Sequence, residues 1–236
     1  MTLHLPQPPA GALRAALSAL APAEAAAPPS AAVPPRGSGR LRPLLALPVH
    51  TLHGPAPRLA GADRTGWRFL LSASTADDAA SAPCGHGGCT AGGAGGAGGA
   101  DRGTERGMER GTLAVGEFTE DGLEEVVAAA EVVDGADGPV FSHLSAGPFL
   151  DSTVRALSQA WQLTHGTPVR YEPRLLPLPE HYASALWLHG GQPGEDLLIP
   201  LAPAPLGVAA HQALPAAELL ARLERSPAAR PAALIG

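Results

Sequence analysis

Residues 169–201 read VRYEPRLLPLPEHYASALWLHGGQPGEDLLIPL, and the pattern of this stretch decides the fold. Its first eight residues alternate with period two. Val169, Tyr171 and Leu175 point one way, while Arg170, Glu172 and Arg174 point the other. Pro177 and Pro179 impose a bend. A second strand-like run, HYASALWLH, covers 181–189, and a glycine-rich turn at 190–194 leads to a third, DLLIPL, at 196–201. Runs joined by connections this short pair back as antiparallel neighbours.

Upstream, Gly147-Pro148 opens the clearest helix. Proline suits a first turn, where its missing N–H is not needed. Leu150, Val154, Leu157 and Trp161 recur at i, i+4, i+7 and i+11 and form one apolar stripe. Gly166 and Pro168 stop the helix. Further upstream the pattern predicts a short strand at 140–144 and a helix over 121–133 with Leu123, Val126, Val127 and Ala130 inward. Strands are expected at 67–72 and 112–118. The run 41–52 is apolar but carries Pro43 and Pro48, which suits an edge strand. Downstream, 215–225 reads as a last helix with a favourably ordered Glu218–Arg222 pair. The expected fold class is α+β: a mainly antiparallel sheet with about three helices packed on one face of it.

The remaining sequence is low in complexity. The chain of 236 residues holds 29 glycines and 26 prolines. Residues 1–37 alternate alanine-rich and proline-rich pieces and read as a disordered tail, with a short helix possible at 11–21. Residues 75–111 contain AGGAGGAGGA and repeats of a short Arg-Gly-containing unit. Glycine at this density loses much backbone entropy on ordering, so the segment reads as an expanded loop. The expected organisation is a single domain over 38–226, interrupted by that loop, with a flexible tail at 227–236.

Composition excludes several chemistries. There is no lysine and no asparagine beside 16 arginines. Lysine-linked pyridoxal chemistry, a Walker lysine, the kinase lysine–asparagine set and a Ser-x-x-Lys pattern are therefore all ruled out. Scarce AT-rich codons, with isoleucine only at Ile199 and Ile235, read as the bias of a GC-rich bacterial genome. A net charge of −6 argues against a nucleic-acid binder. No run of apolar residues is long enough to span a membrane, and the first residues lack a basic leader, so a cytoplasmic location is expected. With two cysteines, a structural disulfide is not expected there.

Four constellations could carry function. The charged face of 169–176 is the leading one. Arg170 and Arg174 are spaced to grip a carboxylate or phosphate, with Glu172 holding their orientation. On the next run His181, Trp187 and His189 share odd parity, so Trp187 could wall a polar and aromatic pocket beside the arginines. Arg170, Glu172, Arg174, Trp187 and His189 are the expected ligand-binding residues; the plain alternative is a solvated sheet face with one ion pair.

The second is Ser145 in His143-Leu-Ser145-Ala-Gly147, followed by Asp196 and His211 in the order of an α/β-hydrolase triad. The resemblance is one of outline: His143 stands where the nucleophile turn needs a small residue, and upstream β-α units are missing. Third, Cys84, His86 and Cys89 could hold a soft metal, but they lack a second ligand pair. Fourth, acidic residues from Glu117 to Asp137 read as a solvated helix face that could meet a basic partner. Because no coherent catalytic set emerges, the expected function is a non-enzymatic accessory or binding protein recognising a protein partner or a small anion. No cofactor or metal is expected, and a homo-oligomer is possible but unspecified.

Overall fold

The computed structural model describes residues 3–21, 40–53, 58–74, 120–192 and 194–225. Among them, eight strands form one sheet: β1 (Arg40–Thr51), β2 (Asp63–Ser74), β3 (Val126–Gly135), β4 (Gly138–Ser145), β5 (Glu172–Leu178), β6 (Ala183–His189), β7 (Leu197–Pro200) and β8 (Leu214–Pro215). The helices are α1 (Ala10–Leu20), the short α2 (Glu120–Glu124), α3 (Pro148–Thr164) and α4 (Ala216–Arg225). The fold is α+β, as expected.

Strand order is β4-β3-β2-β1-β5-β6-β7-β8. Two antiparallel meanders, β1–β4 and β5–β8, are each followed by a helix. They meet where β1 and β5 pair in parallel, in the register Val49↔Leu175. The predicted antiparallel group of 169–201 is β5, β6 and β7, with Arg174 opposite Trp187 and Trp187 opposite Leu198.

Helices cover both faces of the sheet, not one. Leu47, Leu70, Leu175, Leu186, Leu188 and Ile199 pack on the stripe of α3 through Leu150 and Leu157. The alternate residues of the same strands face the other way. Trp67, Phe69, Ala130 and Val132 meet Ala12 and Ala16 of α1, while Leu176, Ala185, Trp187 and Leu198 meet Leu219, Leu220 and Leu223 of α4. Each buried leucine contributes about 1.5–3 kcal/mol, so both layers are needed. Two faces must be buried because the odd and even residues of the central strands are largely apolar, Glu172 and Arg174 being exceptions.

Three further expectations are corrected. Residues 121–133 are not one helix: α2 ends at Glu124 and the rest is β3. Three consecutive alanines favour helix intrinsically, but Ala129 lies under α3 while Ala128 and Ala130 lie under α1, and small residues on both faces let both helices approach. Gly66 does the same between strands. A Cβ there would sit 2.2 Å from the Val132 carbonyl oxygen on β3.

β1 is central rather than an edge strand. Pro43 is accommodated at a bulge, and the pairing to β5 is confined to one register position among the described residues. A proline without its N–H costs little where the ladder is short.

The amino-terminal segment is not a tail over 3–21. Leu3 bridges Tyr171, the His4 amide donates to the Tyr171 carbonyl at 2.7 Å, and Ala12 and Ala16 of α1 are fully buried. The strand expected at 112–118 and the loop at 75–111 lie outside the described residues.

Candidate functional site

Four of the five expected ligand-binding residues come together. Glu172 and Arg174 on β5 stand opposite His189 and Trp187 on β6, on the face shared by α1 and α4. Period-two alternation puts them there: Leu175 and Leu188 turn to the α3 core, and the residues between must turn the other way. The Arg174 guanidinium carbon lies 4.6 Å from the centre of the Trp187 ring. Its Nε donates to Glu172 Oε1 at 2.8 Å. The arginine is thus held by one carboxylate and one aromatic face, which uses one of its five N–H groups.

Arg170 is exposed and precedes β5, so the expected pair of arginines does not form on the strand. His181 closes a 3-10 turn, Pro179–His181, and does not share the strand face of Trp187.

The arrangement includes a residue that the sequence pattern did not single out. His50 of β1 meets Trp187 edge-on, with ring centres 5.7 Å apart, and His189 meets it edge-on at 5.3 Å. Trp187 is 4 % exposed. Its Nε1 and the Nδ1 of His50 are buried without a hydrogen-bond partner among the described residues. Burial first, and the neighbouring Arg174 charge second, lower the His50 pKa to about 4, against an opposing contribution from Glu172. Arg64 acts on it in the same direction as Arg174. The only sequence signal for His50 was a polar residue at even parity in an apolar run. That signal carries no information about β5, because the β1–β5 pairing is parallel and distant in sequence.

His189 is oriented in turn. Its Nδ1 lies 2.9 Å from Asp196 Oδ1, and the Gly190 amide donates to the same oxygen at 3.2 Å. An ionised Asp196 only accepts, so His189 carries a proton on Nδ1. Asp196 also lines a cavity of about 360 Å³ between α4 and the 3-10 turn Leu59–Gly61. The site is therefore a continuous row: Glu172, Arg174, Trp187, His189, Asp196, and then the cavity.

The serine-hydrolase candidates do not assemble. Ser145 ends β4 at one edge of the sheet, and Asp196 precedes β7, six strand positions away at about 4.8 Å each. Asp196 is engaged by His189, and His211 by a different serine: its Nε2 lies 2.7 Å from Ser152 Oγ on α3. Ser152 is 4 % exposed, and its Oγ also accepts the Ala202 amide at 2.7 Å. Such a hydroxyl, buried and fully hydrogen-bonded, fastens the 201–211 connection to α3.

The acidic stretch is not a uniform solvated helix face. Glu131 is buried on β3 against Arg68, whose guanidinium carbon lies 4.7 Å from the Phe149 ring centre, and Asp134 accepts from Arg64 at 3.2 Å. Cys84, His86 and Cys89 lie outside the described residues. Among the described residues no cluster of histidine, cysteine and carboxylates suited to a metal is found, and no helix is long and apolar enough to cross a membrane. Comparison with family models, with curated proteins and with solved structures gives no match.

Proposed function

We propose that this chain is a non-enzymatic binding protein that captures an anionic group on Arg174. The observation that carries the reading is the way Arg174 is held. Glu172 takes its Nε, Trp187 supports the guanidinium plane, and the terminal N–H groups have no acceptor among the described residues. A guanidinium fixed in this way loses little further freedom when it binds a planar carboxylate or a phosphate through two parallel hydrogen bonds. His50 is lowered chiefly by burial and only secondarily by Arg174, so its pKa agrees with a positive charge at Arg174 without carrying the reading. Trp187 is 4 % exposed, so in this reading it backs the guanidinium from within the core.

The test is a titration of the full chain with succinate and, separately, inorganic phosphate, followed by tryptophan fluorescence. Saturable quenching that Arg174→Ala removes, with the melting temperature nearly unchanged, supports the role. Equal binding by wild type and variant eliminates it.

A further inference from the structure

The cavity beside α4 has a different character from the Arg174 site. Its floor is apolar: Leu59 on one side, and Ala217, Leu220 and Ala221 along one face of α4. Two carboxylates, Asp196 and Glu224, and one guanidinium, Arg58, complete the lining. Asp196 is held through a single oxygen, Oδ1, by both the Gly190 amide and His189. Its Oδ2 has no hydrogen-bond partner among the described residues. At about 360 Å³ the cavity lies at the small end of ligand sites.

We infer that this cavity binds a small aliphatic amine, its hydrocarbon body on Leu59, Leu220 and Ala221 and its ammonium group on Asp196, with Glu224 adding attraction. The choice of charge follows from comparing the alternatives. A neutral apolar ligand would strip water from the Asp196 carboxylate and return no hydrogen bond, which is costly for a charged group. A carboxylate ligand would meet two like charges against the single Arg58. An ammonium group gives the Asp196 carboxylate a charge-assisted bond, and Arg58 does not outweigh the two carboxylates of the lining. The fixed orientation of Asp196 removes most of the ordering cost that a free surface carboxylate would incur. Asp196 ends the row that contains Arg174, but the inference does not need an anion on Arg174, because the ligand polarity is opposite and the cavity has its own apolar lining.

Calorimetric titration of the full chain at near-neutral pH with n-hexylammonium, n-hexanol and hexanoate tests the inference. Hexylammonium is expected to bind, more tightly than hexanol, and hexanoate not at all. Asp196→Asn should weaken hexylammonium by roughly tenfold, the scale of one charged hydrogen bond. Glu224→Gln lies on the exposed side of α4 and leaves the fold untouched, so it serves as a second variant with a smaller weakening. Ala221→Phe should abolish binding by filling the space. Absence of hexylammonium binding, equal affinity for hexanol or hexanoate, or an affinity unchanged in both Asp196→Asn and Glu224→Gln would each overturn it.

Discussion

Arg174 and Trp187 are register partners across β5 and β6, and the arginine lies against the indole with its guanidinium carbon 4.6 Å from the ring centre. The contact joins a charge to a side chain that is itself 4 % exposed, so the position of the charge is set by the core. Lysine at 174 would keep the charge and lose the planar fork. Arg174→Lys is therefore expected to weaken succinate or phosphate binding almost as much as Arg174→Ala, while lowering stability by only about 1 kcal/mol, the scale of a cation–π contact. Full binding by the lysine variant would mean that charge alone suffices and that the Trp187-supported geometry is irrelevant.

Gly66 sets the spacing of the β2–β3 pair. With the Val132 carbonyl oxygen 2.2 Å from the place a Cβ would occupy, the backbone of β3 must move before any side chain fits. That movement would disturb Trp67 and Val132, which α1 covers. Gly66→Ala is expected to destabilise by at least about 2 kcal/mol in denaturant unfolding, in line with overpacked cores. Gly61→Ala is the control, since nothing lies within 4 Å of its Cβ position. Equal stability of the two variants would remove the close approach as a constraint on the fold.

The sequence disclosed the elements whose patterns are self-contained. The stripe of α3 needs only its own spacing. The meander β5–β6–β7 needs only short connections and alternation, and the Arg174–Trp187 juxtaposition follows from it. What stayed hidden depends on distant partners. Val126–Gly135 is rich in alanine, and nothing local states that it lies between two helices, so helix propensity alone predicts a helix there. α1 buries Ala12 and Ala16 fully, a contact made by small side chains that local hydrophobicity barely registers. His50 joins the site through a parallel pairing between strands more than a hundred residues apart, which no local period encodes. The arginine pair failed for the opposite reason: alternation continues through Arg170, but the strand begins at Glu172.

His50 makes stability depend on pH with a definite sign. Its folded pKa is about 4, below the ordinary 6.5, because burial and Arg174 disfavour the charged ring. Above 6.5 the ring is neutral in both folded and unfolded chains and contributes no slope. Below it the unfolded chain takes up the proton first, so the folded state loses relative stability as pH falls, down to about 4, where the folded protein also protonates. His211, lowered by burial and by Arg155, acts in the same direction. Melting temperatures measured across this window should fall toward acid, and less steeply in His50→Gln than in wild type. Parallel curves would show that the His50 environment does not oppose protonation.

Ser152 distinguishes a structural serine from a catalytic one. Its hydroxyl oxygen accepts the Ala202 amide and shares a second hydrogen bond with His211 Nε2, so both of its contacts fasten the connection to α3. Ser152→Ala leaves both groups without that partner and is expected to cost about 1–3 kcal/mol, the penalty for orphaned buried polar groups. The loss should be seen in thermal unfolding and in faster amide exchange across 201–211, the connection that Ser152 fastens. A fluorophosphonate probe should label neither Ser152, which has too little exposed surface to reach the probe, nor Ser145, which among the described residues has no hydrogen bond to a histidine, His143 engaging Ser142 and His211 engaging Ser152. Labelling abolished by Ser145→Ala would sink the binding-protein reading in favour of a hydrolase, whereas labelling lost only in Ser152→Ala would require the 201–211 connection to open and free the hydroxyl for attack.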